Sequence, residues 1–299
     1  MSRRSSNTNE YTYQWNPETY TSDDTKRTEP ILKISKSSMG SYNWCPKRYE
    51  FQYKEGLPID STPVMLIGTL VHNAREDFFN TFDVKKAESL SHSELINYCM
   101  SLHPIDDNTE MYEAMSIFES NRFMESVTEG TTDNFLPVIN EIMLDAKVVI
   151  DKNTHPKFEL KQDYVVHLQG IIDRMFQEGN MYIPMELKTG GWKDWKTTMM
   201  RKEMAFYQLL FENTPEDKLI AMGLDPEIPI SHWGWYYPAA NYIHIEKVKK
   251  SSMSSLKKNI AQLLHSYETG IFSAKYFAKT CANCSFFGIC DAANMESWF

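Results

Sequence analysis

Glycine and proline are scarce, at 12 and 13 of 299 residues, which excludes a collagen-like repeat and argues against an extended linker protein. No apolar run approaches the length of a membrane span, so no transmembrane helix is expected. The opening Met1-Ser2-Arg3-Arg4-Ser5-Ser6 lacks the apolar stretch of a signal peptide, and a cytoplasmic protein is the expectation. Positive charge is in deficit: Lys and Arg total 31 against 40 Asp and Glu, a formal net charge of −9. That balance argues against a protein that coats nucleic acid nonspecifically. It leaves open an enzyme that acts on nucleic acid, which needs only a local basic path and keeps carboxylates for metal. Positive charge does gather locally, in residues 188–202 and 247–258. No G-x-x-x-x-G-K-[ST] phosphate loop is present, so any DNA unwinding must come from another chain. Cysteines are few and odd in number (Cys45, Cys99, Cys281, Cys284 and Cys290), a poor basis for a disulfide framework.

What is present divides the chain into four stretches. Residues 1–30 are polar, without apolar periodicity, and read as a disordered or loosely attached arm. Residues 31–135 read as a helical region. Ser37 and Ser38 are candidate caps for a short helix carrying Met39, Tyr42 and Cys45, and Pro46 suits the first turn of a second helix. A helical pattern then runs from Val64 through Leu70, Val71, Ala74, Phe78 and Phe79, and amphipathic stretches at 85–102 and 109–128 form a helical insert. Residues 136–270 mix strand and helix. Strands are expected at 138–150, 158–168, 170–176, 181–187, 232–237 and 242–248, and helices at 196–212 and 252–267. Residues 271–299 are a cysteine-rich tail.

The most informative local pattern is Gly170-Ile171-Ile172-Asp173 leading through Glu178-Gly179-Asn180 to Met185-Glu186-Leu187-Lys188. Gly-Asn is a favoured two-residue hairpin turn. With Gly179 and Asn180 in that turn, Glu178 pairs with Met181, and counting outward sets Asp173 opposite Glu186. Opposed side chains share a face with Cβ atoms about 5 Å apart, and Lys188, two residues on, shares it too. Facing carboxylates repel unless a cation lies between them, and oxygen ligands suit Mg²⁺ or Mn²⁺. A neighbouring ammonium can position water or steady charge on a phosphoryl group. The alternative for the same residues is a solvent-facing strand pair with polar residues outward.

Asp173 followed by Glu186-Leu187-Lys188 resembles the core of the PD-(D/E)XK nucleases. Gly68-Thr69-Leu70-Val71-His72 is similar to the G-x-x-x-H pattern of the RecB-like branch, and Phe206-Tyr207-Gln208-Leu209-Leu210 to its glutamine helix. The resemblance implies an α/β fold: a restriction-endonuclease-like core, a central mixed sheet flanked by helices, with a helical insert and a cysteine-rich C-terminal clasp. It further implies that His72, Asp173 and Glu186 bind Mg²⁺ or Mn²⁺, with the Leu187 carbonyl as a further ligand. Lys188 becomes the catalytic lysine, and Gln208 helps hold the active site or the DNA strand. Where the family's glutamine motif continues to a tyrosine, this chain has Glu212. Glu76 shares the helical face of His72 and is a candidate supporting carboxylate, and Glu141 is ambiguous by alternation.

Cys281, Cys284 and Cys290 form C-x₂-C-x₅-C, and Cys45, followed by Pro46, is the obvious fourth donor. Cys99, between Tyr98 and Met100, reads as a small buried hydrophobe. The split pattern resembles AddB-type and CRISPR-associated RecB-like exonucleases, which implies a 4Fe–4S cluster on Cys45, Cys281, Cys284 and Cys290. A structural Zn²⁺ would also accept four thiolates.

The function expected is a metal-dependent DNA exonuclease acting at single-stranded ends, in DNA repair or CRISPR-type processing, with a helicase or CRISPR adaptation partner and no membrane. A catalytically inactive DNA-end scaffold within a helicase–nuclease complex is the alternative. Trp192, Trp195, Tyr207 and Trp235, among Lys193, Lys196, Arg201 and Lys202, are candidates to stack bases and neutralise phosphates, and core packing is the competing explanation for each.

Overall fold

A computed structural model describes residues 31–59, 63–102 and 109–294. The N-terminal arm of residues 1–30 lies outside the described residues. The chain opens with strand β1 (Leu32–Ser35), helix α1 (Lys36–Trp44) and short helix α2 (Pro46–Tyr49), extended by a π turn over Glu50–Lys54. Helices α3 (Pro63–Thr81), α4 (Val84–Glu88), α5 (His92–Ser101) and α6 (Thr109–Glu129) follow. Strands β2 (Ile139–Ile150), β3 (Tyr164–Glu178) and β4 (Met181–Leu187) lead to helices α7 (Thr197–Asn213) and α8 (Glu216–Ala221). Strands β5 (His232–Tyr237) and β6 (Tyr242–Lys247), the long helix α9 (Lys250–Thr269) and short helices α10 (Ala278–Cys281) and α11 (Asp291–Asn294) complete it.

The strands form one mixed sheet built on β3. β2 runs antiparallel along one edge, from Ile150 opposite Tyr164 to Ile139 opposite Met175. The other edge is shared. β1 lies parallel to its residues 166–169, and β4 antiparallel to its residues 174–178. β1 and β4 therefore run toward each other along that edge and stop short, leaving residues 170–173 between their ends. This fork positions the candidate site. β5 then joins β4 in parallel, and β6 adds an antiparallel edge.

The Gly179-Asn180 turn forms as the sequence suggests. Gly179 takes φ +55, the left-handed torsion a side chain disfavours, and Glu178 pairs with Met181. The ladder runs in that register to Arg174 opposite Met185, so its next step would set Asp173 against Glu186. Gly234 on β5 faces Met185 across the sheet, where a Cβ would lie 1.8 Å from the Met185 sulfur. Any larger residue there would force the Met185 side chain to move.

One core joins the sheet to α1, α7 and α9, through residues such as Tyr42, Leu168, Phe206, Leu210, Trp233 and Leu264. A second cluster seats Val71 of α3 and Met115 and Phe118 of α6 against Ile183, Met185, Leu187 and Tyr236. The insert has its own aromatic core of Phe78, Phe82, Phe123 and Phe135, which also buries Cys99. Helices thus flank a central mixed sheet.

Several boundaries differ from the sequence expectation. Strand β1, inside the stretch that reads as helical, joins the sheet by parallel pairing. Ser35, rather than Ser37 or Ser38, caps α1, in a reciprocal pair of bonds with Ser38. Such a cap stabilises a helix by roughly 0.5–2 kcal/mol. The stretch 85–102 divides into α4 and α5, because Ser91 caps a fresh helix with Glu94. The strands expected at 158–168 and 170–176 are one continuous β3, and Phe158 instead stacks between His155 and His265. Leu70 is exposed on α3 rather than facing the core.

Candidate active site and cysteine pocket

Glu186 lies at the end of β4, beside the fork, with its side chain almost wholly buried. Lys188, just past the strand, donates to Glu186 Oε1 at 2.7 Å and to Glu203 Oε2 of α7 at 2.9 Å. Between them, the Leu187 N–H donates to Asp173 Oδ2 at 3.0 Å. That bond turns Asp173 Oδ1 toward α3, where His72 Nδ1 stands 3.8 Å away. The same His72 nitrogen is 4.0 Å from Glu141 Oε1 of β2. Asp173, Glu186, Leu187, Lys188 and His72 are therefore brought to one place.

Glu141 is a member that sequence alternation left ambiguous. It lies across β3 from Asp173, between the pairs Asn140–Arg174 and Ile142–Ile172, and takes φ +55. A left-handed torsion is costly for a glutamate and is found most where surrounding structure enforces it at functional sites. The alternation of β3 breaks at the same level, with Ile172, Asp173, Arg174 and Met175 all buried. Glu76 meets β2 through its backbone carbonyl, which accepts from Asn140 Nδ2 at 2.7 Å.

Two further residues had no assigned part in the chemistry. Lys36, the first residue of α1, reaches Glu186 Oε1 and Oε2 at 2.6 and 2.8 Å. Tyr207 donates to Glu186 Oε2 at 2.6 Å and accepts from Lys36. Tyr207 is thus wholly buried beside the carboxylates and is not a base-stacking platform. Trp235 is likewise buried in β5, stacked against His244, and Trp192 packs on Tyr242, so both rings are spent on packing against β6. Of the aromatic candidates Trp195 stands in solvent, 72% exposed. Gln208 is turned away from the fork: it accepts from Trp233 Nε1 at 3.0 Å and donates to Glu212 and to the Ile230 carbonyl. It ties α7 to β5, while its neighbour Tyr207 faces the carboxylates.

Charge in this cluster is strongly coupled. Burial pushes the Glu186 carboxyl up, but the ammonium groups of Lys188 and Lys36 outweigh it and hold the group well below the usual carboxylate range. Burial opposes charge on Lys188 and Lys36 in turn, yet Glu186 and Glu203 keep both above the ordinary lysine value. Burial and the charge of Glu186 raise Glu203. Burial, then Glu186 and Asp173, hold the Tyr207 phenol well above its usual value. Glu186 and Glu203 thus favour the charged form of Lys188.

Cys45, Cys281, Cys284 and Cys290 line one small cavity, together with Trp44, Arg48, Lys275 and Phe286. The Lys275 N–H lies 3.4 Å from the Cys45 sulfur. All four thiols are half-buried and free of disulfides, whereas burial pushes the core thiol of Cys99 up to about 11.

Among the described residues, no three His, Cys, Asp or Glu side chains stand close enough to hold a metal ion as they are. At the fork, ammonium groups occupy the space around Glu186. The donor set nonetheless fits a hard divalent ion: carboxylate oxygens with one imidazole, 3.8 and 4.0 Å apart where measured from His72. Ligands on one small ion at about 2.1 Å lie roughly 3–4 Å from each other.

The chain belongs to the PD-(D/E)XK nuclease superfamily, whose family model matches residues 33–291, and its mixed sheet flanked by helices is consistent with that core. Members are typically metal-dependent hydrolases. Among solved structures, the crystal structure of SSO0001 is similar over 87% of each chain, at 15% identity and a TM-score of 0.42. No curated protein matches the chain. Among the described residues, no helix is long and apolar enough to cross a membrane.

Proposed function

We propose that the protein is a Mg²⁺- or Mn²⁺-dependent DNA exonuclease acting at single-stranded ends. The observation that carries the reading is the meeting of Asp173, the Glu186-Leu187-Lys188 step and His72 at the fork of the sheet. His72, Asp173, Glu186 and Glu141 are the side chains that would hold the ion, with the Leu187 carbonyl as a further donor. Bound there, the ion would acidify a water and polarise a phosphodiester oxygen.

The rest of the work falls to the protein. The Leu187 N–H fixes one oxygen of Asp173 and leaves the other facing His72. Lys188, held as a cation by Glu186 and Glu203, donates to the phosphate oxygen on which charge develops. Gln208 steadies the helix from which Tyr207 and Glu203 face the site. Downstream of Lys188, exposed Trp195 between Lys193 and Lys196 offers a stacking surface and positive charge for a strand approaching the fork.

The same reading gives Cys45, Cys281, Cys284 and Cys290 a 4Fe–4S cluster, with Zn²⁺ as second choice. Support comes from their shared cavity, where Arg48 and Lys275 offset thiolate charge. Trimming of DNA ends in repair or CRISPR-type processing, beside a helicase on another chain, is the setting that suits these features. End-labelled single- and double-stranded DNA incubated with the protein and Mn²⁺ tests the activity. Stepwise loss from single-stranded ends is expected. Internal cuts would replace the exonuclease reading, and binding without cleavage under any divalent ion would make the protein an end-binding scaffold.

A further inference from the structure

The chemistry above asks one lysine to stand beside Glu186, and the fork supplies two. β1 is a four-residue strand whose parallel pairing ends with Ser35 opposite Gln169. The Ser35 cap then turns the chain into α1, so Lys36 emerges at the gap from which β4 presents Glu186. Its Nζ lies within 2.8 Å of both Glu186 oxygens, bonds the Tyr207 hydroxyl, and is 3.6 Å from Glu203 Oε2. Its side chain is only 23% exposed. Glu186 therefore receives Lys36, Lys188 and Tyr207 together.

A carboxylate with both oxygens engaged by one ammonium presents no open lone-pair sector to a second cation on that side. A divalent ion needs oxygen contacts at about 2.0–2.1 Å and tolerates no ammonium in the same place.

We propose that Lys36 is a place-holding cation, which neutralises and aims Glu186 in the metal-free protein and leaves that carboxylate when a divalent ion binds. It is a positioning residue that sets metal affinity, and Lys188 remains the lysine of the reaction. The proposal rests on Glu186 being a metal ligand. An ion pair that merely anchors α1 to β4 would stabilise the fold without competing with metal.

Calorimetric titration of Mn²⁺ into the full-length protein separates these accounts without any turnover. Lys36→Met removes the competitor and is expected to tighten Mn²⁺ binding roughly tenfold, a change of the size typical when one bound group alters the affinity for another. The metal-free melting temperature should fall, and Mn²⁺ should raise it further than in the wild type. Lys36→Arg keeps a cation on Glu186 and should restore the weaker affinity. If Lys36→Met folds poorly, Lys36→Gln gives the same comparison with a polar side chain. Unchanged or weaker Mn²⁺ binding in a folded neutral variant would overturn the proposal. Glu186→Gln distinguishes the underlying reading: were it to bind Mn²⁺ as the wild type does, Glu186 would not be a ligand at all.

Discussion

Glu186 meets the ammonium groups of both Lys36 and Lys188 at hydrogen-bond distance. Lys188 lies between Glu186 and Glu203, which both favour its ammonium form. The contribution proposed for it is electrostatic. Removing one such preorganised donor typically slows an enzyme by about 10²–10³-fold. Lys188→Met should therefore lose about that factor in single-turnover cleavage while circular dichroism stays unchanged. A full-rate variant would reassign the lysine. Tyr207 shows how residue type misleads: an aromatic among basic residues reads as a base platform, yet its hydroxyl is spent on Glu186 inside the protein. The placing of Asp173 beside Glu186 was readable because a Gly-Asn turn fixes register, and register fixes which side chains face. Lys36 was not, because nothing local reveals that a four-residue strand pairs with one more than 100 positions later.

At the level of elements, α3 and α6 of the insert are tied together by a buried charge cluster. Glu119 on α6 is fully buried, with Arg75 Nη2 at 2.5 Å and Arg122 Nε at 2.9 Å. Burial raises its carboxyl, but Arg122, Arg75 and Arg174 prevail and hold it below the usual 4.5. Arg75 and Arg174 are themselves wholly buried and stack on Phe79. Breaking a buried pair from one side leaves charge uncompensated and costs roughly 3–5 kcal/mol. Glu119→Gln should therefore lower stability by about that amount in urea titrations. The sign with pH is also fixed. A depressed folded value means the stabilisation is complete above the unfolded glutamate value and disappears as pH falls through the folded one. The gap between wild type and Glu119→Gln should hence narrow in acid, and a gap independent of pH would contradict the assignment. Periodicity revealed that α3 and α6 exist, but hydrophobic pattern carries no information on which arginine meets which glutamate across them.

For the molecule as a whole, α1 runs from the carboxylate cluster to the cysteine-lined cavity. It starts with Lys36 at the carboxylates and ends at Cys45, on the wall of the cavity formed with Cys281, Cys284 and Cys290. Its flank is tied to α9 by Tyr42, whose hydroxyl donates to the Gln262 carbonyl at 2.9 Å. A metal centre at the cysteines would close most of the chain into one loop, so its binding energy would add to folding. Anaerobically purified protein is expected to be brown, with broad visible absorbance that Cys284→Ala abolishes together with thermal stability. A colourless, zinc-containing protein would remove the iron–sulfur centre while keeping the clasp. The cysteine spacing made this pocket legible, although the separation between Cys45 and the tail hid how α1 connects it to the fork.

The most direct test of the nuclease site is cleavage of end-labelled single-stranded DNA with Mn²⁺ by the wild type and by Glu186→Ala, each confirmed folded. The site described here predicts metal-dependent cleavage by the wild type and none above background by the variant. Equal cleavage by both, or wild-type cleavage that persists in excess chelator, would contradict it.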